Sequence, residues 1–379
     1  MAKDKNIPLV DLKAQYFEIK EDLWKAWSEI LESMRLYLGL WTERFEKEYG
    51  KYCGVNYCIT VANGTEAVHL SLRALDIKDG DEVITTPLTF AATVEAIWMV
   101  GAKPVFVDIN EDDYTINPSL IEDKITPKTK AILPVHLYGH PADMDRILEI
   151  AKKYNLYVVE DSAQAQGAEY KGKKVGSLGD VSAFSFYFSK NLGAFGEAGA
   201  VTTSKKEIYD KLVLLRCHGQ KNKYIHLIPG FNARTDELQC AVLYLKLKKL
   251  DDWNKRRRKF ADMYRERLKE LEDKGKIKLP VEKEWGYHVY HLFVIRVLDK
   301  GLRDKLFNFL KEKGIGVGIH YPIPLHLQPA FSYLNYKKGD FPVAERVAEE
   351  VISLPMHPHL KEEDIDYIAD KIKEFFESV

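Results

Sequence analysis

The sequence predicts an α/β protein whose mostly parallel sheet is covered on both faces by helices, followed by a smaller α+β unit. Between residues 57 and 163, short apolar runs rich in β-branched residues alternate with segments of helical periodicity. After Gly275 the pattern changes to a few strands and two amphipathic helices. The chain has 379 residues, enough for one large and one small domain, and we expect these at 1–260 and 261–379.

The elements of the large unit follow one another without a linker. Residues 11–49 have helical periodicity, and "YCITVA" (57–62) is predicted to be the first strand. The helix "NGTEAVHLSLRAL" (63–75) comes next, because Thr65 and Glu66 are residue types typical of helix starts. The alternation then continues with strands at 81–87, 104–109, 131–139 and 156–163, and with helices at 89–101 and 144–155.

A long charged helix is predicted at about 240–274, and it contains the basic run "KRRRK" (255–259). Apolar residues at helical spacing surround this run, so we interpret it as a solvated helix face. The smaller unit is predicted to contain a strand at 291–297, a helix at 303–314, an extended segment at 314–322 and a final helix at 362–378.

The charge of the chain does not indicate a polyanionic partner. Lys and Arg number 56 and Asp and Glu number 57, so we expect neither nucleic acid nor a membrane surface as a partner. Cys53 and Cys58 form a C-x4-C pair that matches no zinc or redox motif, and with Cys217 and Cys240 they are expected to be reduced thiols. With no metal site, signal peptide or membrane span indicated, we expect a cytoplasmic protein.

Three places in the sequence could carry chemistry. Gly64 and Thr65 join a strand to a helix, where free amides bind phosphate or where a simple helix cap forms. Glu160 and Asp161 end an apolar strand, either as a cap or as an anion facing a cation. Lys190 lies between the apolar run "FSFYF" and three glycines, and a desolvated lysine there can form a Schiff base with an aldehyde.

These stretches together resemble the DegT-type nucleotide-sugar aminotransferases. The most specific similarities are "NGTEAVHLSLRAL", "EDSAQAQGA", "SFYFSKNLGAFGEAGAV", "GFNARTDELQCAVL" and "GIHYPIPLHLQPAF", and the resemblance extends over nearly the whole chain. It implies a pyridoxal phosphate (PLP) dependent transferase of fold type I, with a seven-stranded sheet in the large domain. It also implies a homodimer with shared active sites.

The resemblance also implies a role for individual residues. Lys190 matches the lysine that forms the Schiff base with PLP, and Asp161 matches the partner of the pyridine nitrogen. The remaining cofactor-binding positions are Gly64, Thr65 and Ser185 at the phosphate, Phe90 stacked on the ring, Gln164 at the 3-hydroxyl, and Asn232 at the phosphate of the neighbouring subunit. Two alternatives remain open. Phe90 could simply pack in the core, and Arg234 could either bind a carboxylate or belong to an interface.

The implied reaction is the transfer of an amino group, with L-glutamate as the usual donor, to a nucleotide-linked keto-sugar. The stretches "KNLGAFGEAGA" and "GIHYPIP" are most similar to members that aminate carbon 3, in which His320, Tyr321 and Tyr187 would approach the sugar. His320 and Tyr321 could instead form a polar pair at a strand end. An aminotransferase acting on carbon 4 is the alternative, and the identities of the nucleotide and sugar stay open.

Three rival functions are less consistent with the residues. Related sugar dehydratases replace the Schiff-base lysine with histidine, whereas Lys190 is retained. A PLP-binding regulatory protein would need a DNA-binding module, and no such pattern is present. A catalytically inactive relative would be expected to lose the aspartate, serine or lysine. Phe188 and Trp41 depart from the common family pattern, and we expect them to reshape the substrate entrance.

Overall fold

A computed structural model describes residues 5–379, which contain α-helices of different lengths. The α-helices are α1 (Leu12–Ser33), α2 (Leu40–Cys53), α3 (Gly64–Ala74), α4 (Ala92–Met99), α5 (Met144–Tyr154), α6 (Lys206–Arg216), α7 (Glu237–Leu247), α8 (Leu250–Asp273), α9 (Leu302–Glu312), α10 (Pro342–Glu350) and α11 (Glu362–Ser378). None of the helices within 5–379 combines the length and apolar character required to cross a membrane.

In residues 5–379 the strands form one large sheet and three small ones. They are β1 (Tyr57–Val61), β2 (Glu82–Thr85), β3 (Lys103–Phe106), β4 (Thr129–Ile132), β5 (Tyr157–Asp161), β6 (Glu169–Tyr170), β7 (Lys173–Lys174), β8 (Val181–Ser185), β9 (Gly199–Thr203), β10 (Gln220–Asn222), β11 (Ile225–His226), β12 (Ile277–Lys278), β13 (Gly286–Tyr287), β14 (Phe293–Val297) and β15 (Val351–Leu354).

The large sheet has seven strands in the order β1-β9-β8-β5-β4-β2-β3. The pairings from β8 to β3 are parallel, while β9 runs antiparallel to both of its neighbours, β1 and β8. The prediction of a mostly parallel seven-stranded sheet is therefore confirmed, with β9 as the exception.

Successive residues of each parallel strand contribute to different cores. In β5, Val158 packs in a cluster with α5, whereas Val159 packs in a cluster with α3 and α6. Because side chains alternate between the two faces of a strand, each face of the sheet receives its own layer of helices. The carboxyl ends of β1, β5 and β8 then lie at the same edge, where open α/β sheets bind ligands.

The C-terminal residues build a separate apolar cluster around the three-stranded antiparallel sheet β12-β14-β15. Helices α8, α9 and α11 pack against it, and the cluster extends from Phe260 to Phe375 with Ile7 added from the N-terminal segment. The predicted boundary at residue 260 falls within α8, which is continuous there.

Some predicted helix boundaries are wrong. The N-terminal helical region is two helices, because Met34 ends α1 in the left-handed conformation and α2 begins only at Leu40. The long charged helix is likewise divided into α7 and α8. Its basic run lies mostly on the solvated face as predicted, but Arg257 is fully buried and donates to the carbonyls of Tyr290 and Met356.

Candidate functional site

A cavity of about 740 Å³ lies where the carboxyl ends of β1, β5 and β8 meet the N-terminus of α3. Ten of the eleven predicted site residues line it, and they come from segments up to about 260 residues apart. These ten are Gly64, Thr65, Phe90, Asp161, Gln164, Ser185, Tyr187, Lys190, His320 and Tyr321. The exception is Asn232, which is exposed and outside this cavity.

Lys190 lies on the connection between the antiparallel neighbours β8 and β9. Its amide donates to the carbonyl of Tyr187 at 2.8 Å, and Ala194 closes the connection by donating to Phe186 at 2.8 Å. Burial lowers the pKa of the Lys190 ammonium to about 8, although the charges of Asp161 and Glu197 act in the opposite direction. A lysine with this pKa is partly neutral near physiological pH and can act as a nucleophile or base.

Asp161 ends β5 on the face of the sheet that packs against α3. Thr93 donates its hydroxyl to one carboxylate oxygen at 2.8 Å, and the amide of Ala163 donates to the other at 3.1 Å. Burial raises the pKa of Asp161, while these two hydrogen bonds and the charge of Lys190 lower it. The carboxylate is thus held in one orientation, facing a cavity that contains a cation.

Glu160 has a different role from Asp161, because successive side chains of a strand point to opposite faces of the sheet. It is fully buried and accepts hydrogen bonds from the amides of Gly176, Leu178 and Gly179 at 2.9–3.0 Å. His136 contacts it at 3.1 Å. Glu160 therefore anchors the turn before β8 and does not line the cavity.

The N-terminus of α3 forms a second wall with unpaired backbone amides. Asn63 caps the helix by accepting from the amide of Glu66 at 2.9 Å, which leaves the amides of Gly64 and Thr65 free to bind an anion. Gly64 approaches Ser185 so closely that an added Cβ would lie 2.5 Å from the Cβ of Ser185. Together these groups form a cradle suited to a phosphate.

A hydrogen-bonded chain connects Gln164 to the C-terminal segment. Gln164 accepts from the amide of Tyr138 at 2.8 Å and donates to the hydroxyl of Tyr321 at 3.0 Å. Burial raises the pKa of the Tyr321 phenol, so it stays protonated. His320 is fixed by a 2.8 Å contact between Nδ1 and the hydroxyl of Ser353, and burial together with the charge of Lys190 lowers its pKa to about 4.

Two aromatic side chains border the opening of the cavity. Phe90 is 57% exposed and lies 5.9 Å from Tyr321 between ring centroids, so core packing does not account for it. Tyr187 is partly exposed and contacts the ring of Phe188. Phe188 itself does not line this cavity, and Trp41 is buried against Tyr244, so neither reshapes its wall directly.

Asn232 and Arg234 lie together on the surface. Arg234 donates to the side-chain oxygen of Asn232, and its guanidinium stacks over the ring of Tyr37 at 4.8 Å. The backbone of Asn232 pairs with Cys217. Neither side chain lines the cavity.

Sequence reasoning missed several residues of this site. Asn63 and Thr93 lie within helices that the sequence predicts, and the asparagine before "GTE" is an N-cap signal. The role of Thr93 depends on a contact 68 residues away along the chain, and that of His291 on one 100 residues away, so local sequence gave no signal for either. Glu66 and His291 also line the cavity.

The sequence as a whole identifies the family. Residues 18–373 match the family described as the DegT/DnrJ/EryC1/StrS aminotransferase family. This protein belongs to that family. A relative from Geobacillus stearothermophilus is named a pleiotropic regulatory protein. It is 45% identical to this chain, and the match covers 98% of this chain and 99% of the relative.

Two further comparisons concern enzymes. The dTDP-3-amino-3,4,6-trideoxy-alpha-D-glucose transaminase of Streptomyces venezuelae is 43% identical over 100% of this chain and 98% of its own. The crystal structure of S. venezuelae DesV in complex with a ketimine intermediate is similar with a TM-score of 0.94, at 43% identity and 98% coverage of each chain. The predictions of family, enzyme class and fold type I are confirmed.

Proposed function

We propose that the aminotransferase uses PLP, bound in the cavity that Lys190 and Asp161 share. The chemistry of the lining supports this: a lysine with a lowered pKa, a fixed carboxylate and a helix N-terminus surround one space. The amides of Gly64 and Thr65, with Ser185, would hold the phosphate. Phe90 would contact one face of the ring, and Gln164 its 3-hydroxyl group.

Asp161 would keep the pyridine nitrogen protonated. Burial raises the pKa of this carboxyl, and a cationic ring nitrogen would lower it again by pairing with the anion. PLP, when bound, supplies an aldehyde carbon and an electron-withdrawing ring that accepts the electron pair of a broken C–H bond. The hydrogen bond from Thr93 keeps the carboxylate aimed at the cavity during both half-reactions.

Lys190 would hold the aldehyde carbon and later move the proton. Once the amino donor has displaced it, its free amine would take the proton from the donor's α-carbon with its lone pair and release it to the former aldehyde carbon. In the second half-reaction the amine would take a proton back from that carbon and, as the ammonium, would give it to the sugar carbon that receives the nitrogen. A pKa near 8 suits this task, because the amine can both accept and release a proton near neutral pH.

We propose a nucleotide-linked 3-keto-sugar as the acceptor and L-glutamate as the donor. The support is the activity for which the S. venezuelae relative is named, which concerns a 3-amino sugar. The fixed ring of His320 and the phenol of Tyr321 would approach the hexose, and Tyr187 would border its entry. A 4-keto-sugar remains the alternative, and so, with less support, does a regulatory role.

The active unit is proposed to be a cytoplasmic homodimer with shared sites. Asn232 is exposed and outside the cavity of its own chain, which is consistent with binding the phosphate in the site of the partner subunit. We also propose that residues 1–260 carry the cofactor site and that 261–379 form a second domain. The apolar cluster that begins at Phe260 supports this division.

Spectra of the two half-reactions test the substrate proposal. L-Glutamate should convert the PLP form to the pyridoxamine form, and a nucleotide-linked 3-keto-hexose should convert it back. The 4-keto isomer should react at least about a hundredfold more slowly, because moving the ketone displaces it by more than roughly 1 Å from the amine. Equal rates for both isomers would refute the carbon 3 assignment, and no response to either sugar or glutamate would refute transamination.

Cofactor attachment is tested separately. After incubation with PLP and borohydride reduction, peptide mass spectrometry should find the pyridoxyl label on Lys190. A label on another lysine instead would contradict the proposed site. A protein that is labelled at Lys190 but performs neither half-reaction would favour the regulatory alternative.

A further inference from the structure

His291 joins the cavity to a buried network of amide side chains. It is 8% exposed and lines the cavity, and its Nδ1 lies 3.3 Å from the side-chain oxygen of Asn191, the residue after Lys190. Asn191 donates to the carbonyl of Val289 at 3.0 Å and to the side chain of Asn254 at 2.9 Å. The segment that carries Lys190 is thereby fixed to the loop that carries His291.

This network determines which nitrogen of His291 carries the proton. The carbonyl of Val289 can only accept, so the nitrogen of the Asn191 amide must face it and the oxygen must face His291. Asn254 is oriented in the same way, because it donates to the carbonyl of Gln166 at 2.9 Å. The oxygen of Asn191 then requires a donor, and Nδ1 of His291 carries the proton.

The other ring nitrogen of His291 is therefore an unprotonated acceptor. Nε2 has no hydrogen-bond partner in the described part of the chain, but it is not fully buried. It therefore keeps some solvent contact, and because His291 lines the cavity we place this nitrogen at the cavity wall. Burial and the nearby charges of Lys190 and Arg257 lower the pKa of His291 well below its ordinary value, which keeps the ring neutral.

We propose that Nε2 of His291 accepts a hydrogen bond from the amine of Lys190 whenever that amine is not bound to the cofactor, and thereby orients it for proton transfer. This inference rests on the proposed function. An amine has one lone pair and two hydrogens, so fixing one hydrogen on an acceptor restricts the direction of the lone pair. The acceptor also stabilises the ammonium that forms when the proton is taken.

Two substitutions at His291 separate the acceptor from the ring. His291→Phe keeps a planar ring of similar size and removes Nε2, whereas His291→Gln retains an amide oxygen that can reach a similar position. With α-deuterated L-glutamate, the Phe variant should lose about 10- to 100-fold in the donor half-reaction rate and show a larger isotope effect. The Gln variant should recover much of the loss, and the affinity for PLP should stay within threefold.

The control is His288→Gln, which removes a buried histidine that stacks on Tyr290 and does not line the cavity. It should leave the isotope effect unchanged. A Phe variant with a rate within twofold of wild type, or a Gln variant as slow as the Phe variant, would overturn the proposal. The second outcome would mean that the imidazole serves only to hold Asn191.

A readout on the cofactor-free full-length protein distinguishes this inference from the proposed function. The pH dependence of Lys190 modification by an amine-reactive reagent reports the pKa of its amine. The midpoint should fall in His291→Phe, since the ammonium loses its acceptor, and return toward wild type in His291→Gln. If glutamate fails to react with the wild-type holoenzyme but the midpoint shifts in this way, transamination is refuted and the hydrogen bond stands. An unchanged midpoint refutes the hydrogen bond.

Discussion

At the scale of single residues, Asp161 relies on Thr93 for the only side-chain hydrogen bond that its carboxylate receives from residues 5–379. Thr93→Val keeps the shape and removes the hydroxyl. The carboxylate would then be less stabilised and its pKa would rise further, so the anionic fraction facing the cofactor would fall. We expect the donor half-reaction to slow by about tenfold, equivalent to ~1.4 kcal/mol, a usual contribution for a hydrogen bond to a charged group.

The matched control for this change is Thr86→Val. Thr86 is also fully buried, in the connection that leads from β2 to α4, but its hydroxyl accepts from the amide of Leu88 and does not contact Asp161. Thr93→Ser should restore most of the rate because it restores the donor. Stopped-flow absorbance of the half-reaction is the measurement, and equal rates for Thr93→Val and wild type would show that the hydroxyl does not act on Asp161.

The depressed pKa of Lys190 predicts a pH dependence of stability in the cofactor-free protein. Between about 8 and its ordinary value of 10.5, the unfolded chain binds the proton that the folded chain has released. The free energy of unfolding therefore rises with pH through this window. Lys190→Met removes the group, so the variant should be more stable than wild type at pH 7 and the difference should shrink toward pH 10.

Urea unfolding at several pH values measures this difference. Lys255→Met serves as the control, because it removes a lysine that is exposed on α8 and lies outside the cavity. A constant difference for Lys190→Met would mean that the ammonium is not destabilised by the cavity.

At the scale of elements, the position of α3 against β8 depends on the absence of a side chain at Gly64. In Gly64→Ala the new Cβ would lie 2.5 Å from that of Ser185, so the helix N-terminus must move away from the proposed phosphate site. We expect PLP to dissociate at least about tenfold faster and the protein to lose ~1–3 kcal/mol of stability. Retention of PLP on gel filtration and thermal melting are the measurements.

Gly50→Ala is the matched control for an added methyl group. Gly50 lies inside α2, and a Cβ there would have its nearest neighbour at 3.5 Å, an ordinary contact. Alanine has the higher helix propensity, so this variant should keep PLP and be slightly more stable. If Gly64→Ala behaved like Gly50→Ala, the close contact with Ser185 would not be what positions the cradle.

The elements also mark how far the sequence could predict the structure. Periodicity located the strand that ends at Asp161 and the helix that begins at Gly64, because both signals are local. The start of α2 could not be located in this way. Its first amides, those of Gly39, Trp41 and Thr42, are capped by the carboxylate of Glu237, almost 200 residues further along the chain. The same limit applies to the site, where His291 is recognisable only through its contact with Asn191.

At the scale of the whole molecule, the proposed sharing of sites can be tested with mixed dimers. One subunit carries Lys190→Ala and the other carries Asn232→Ala. If Asn232 serves the partner, one site of the hybrid combines an intact Lys190 with an intact Asn232, and each hybrid should show about half the activity of a wild-type dimer. If Asn232 serves its own subunit, no site is intact.

The homodimers of each variant are the controls for this experiment. The Lys190→Ala dimer should be inactive, and the Asn232→Ala dimer should lose PLP more readily without unfolding. Activity of the purified hybrid no greater than that of the Asn232→Ala dimer would contradict sharing, as would a monomer that retains PLP tightly in solution.

The antiparallel strand β9 has a consequence for the order of assembly during synthesis. Within the described part of the chain, β1 pairs only with β9 in the large sheet, and about 140 residues separate Val61 from Gly199. At 5–20 residues per second, β1 and the helix start behind it leave the ribosome roughly 7–30 s before their only strand partner exists. Because β9 lies between β1 and β8 in the sheet, we expect the contact between Gly64 and Ser185 to form after β9 has joined them, and a nascent chain to bind the proposed cofactor only once both halves of its cradle have been made.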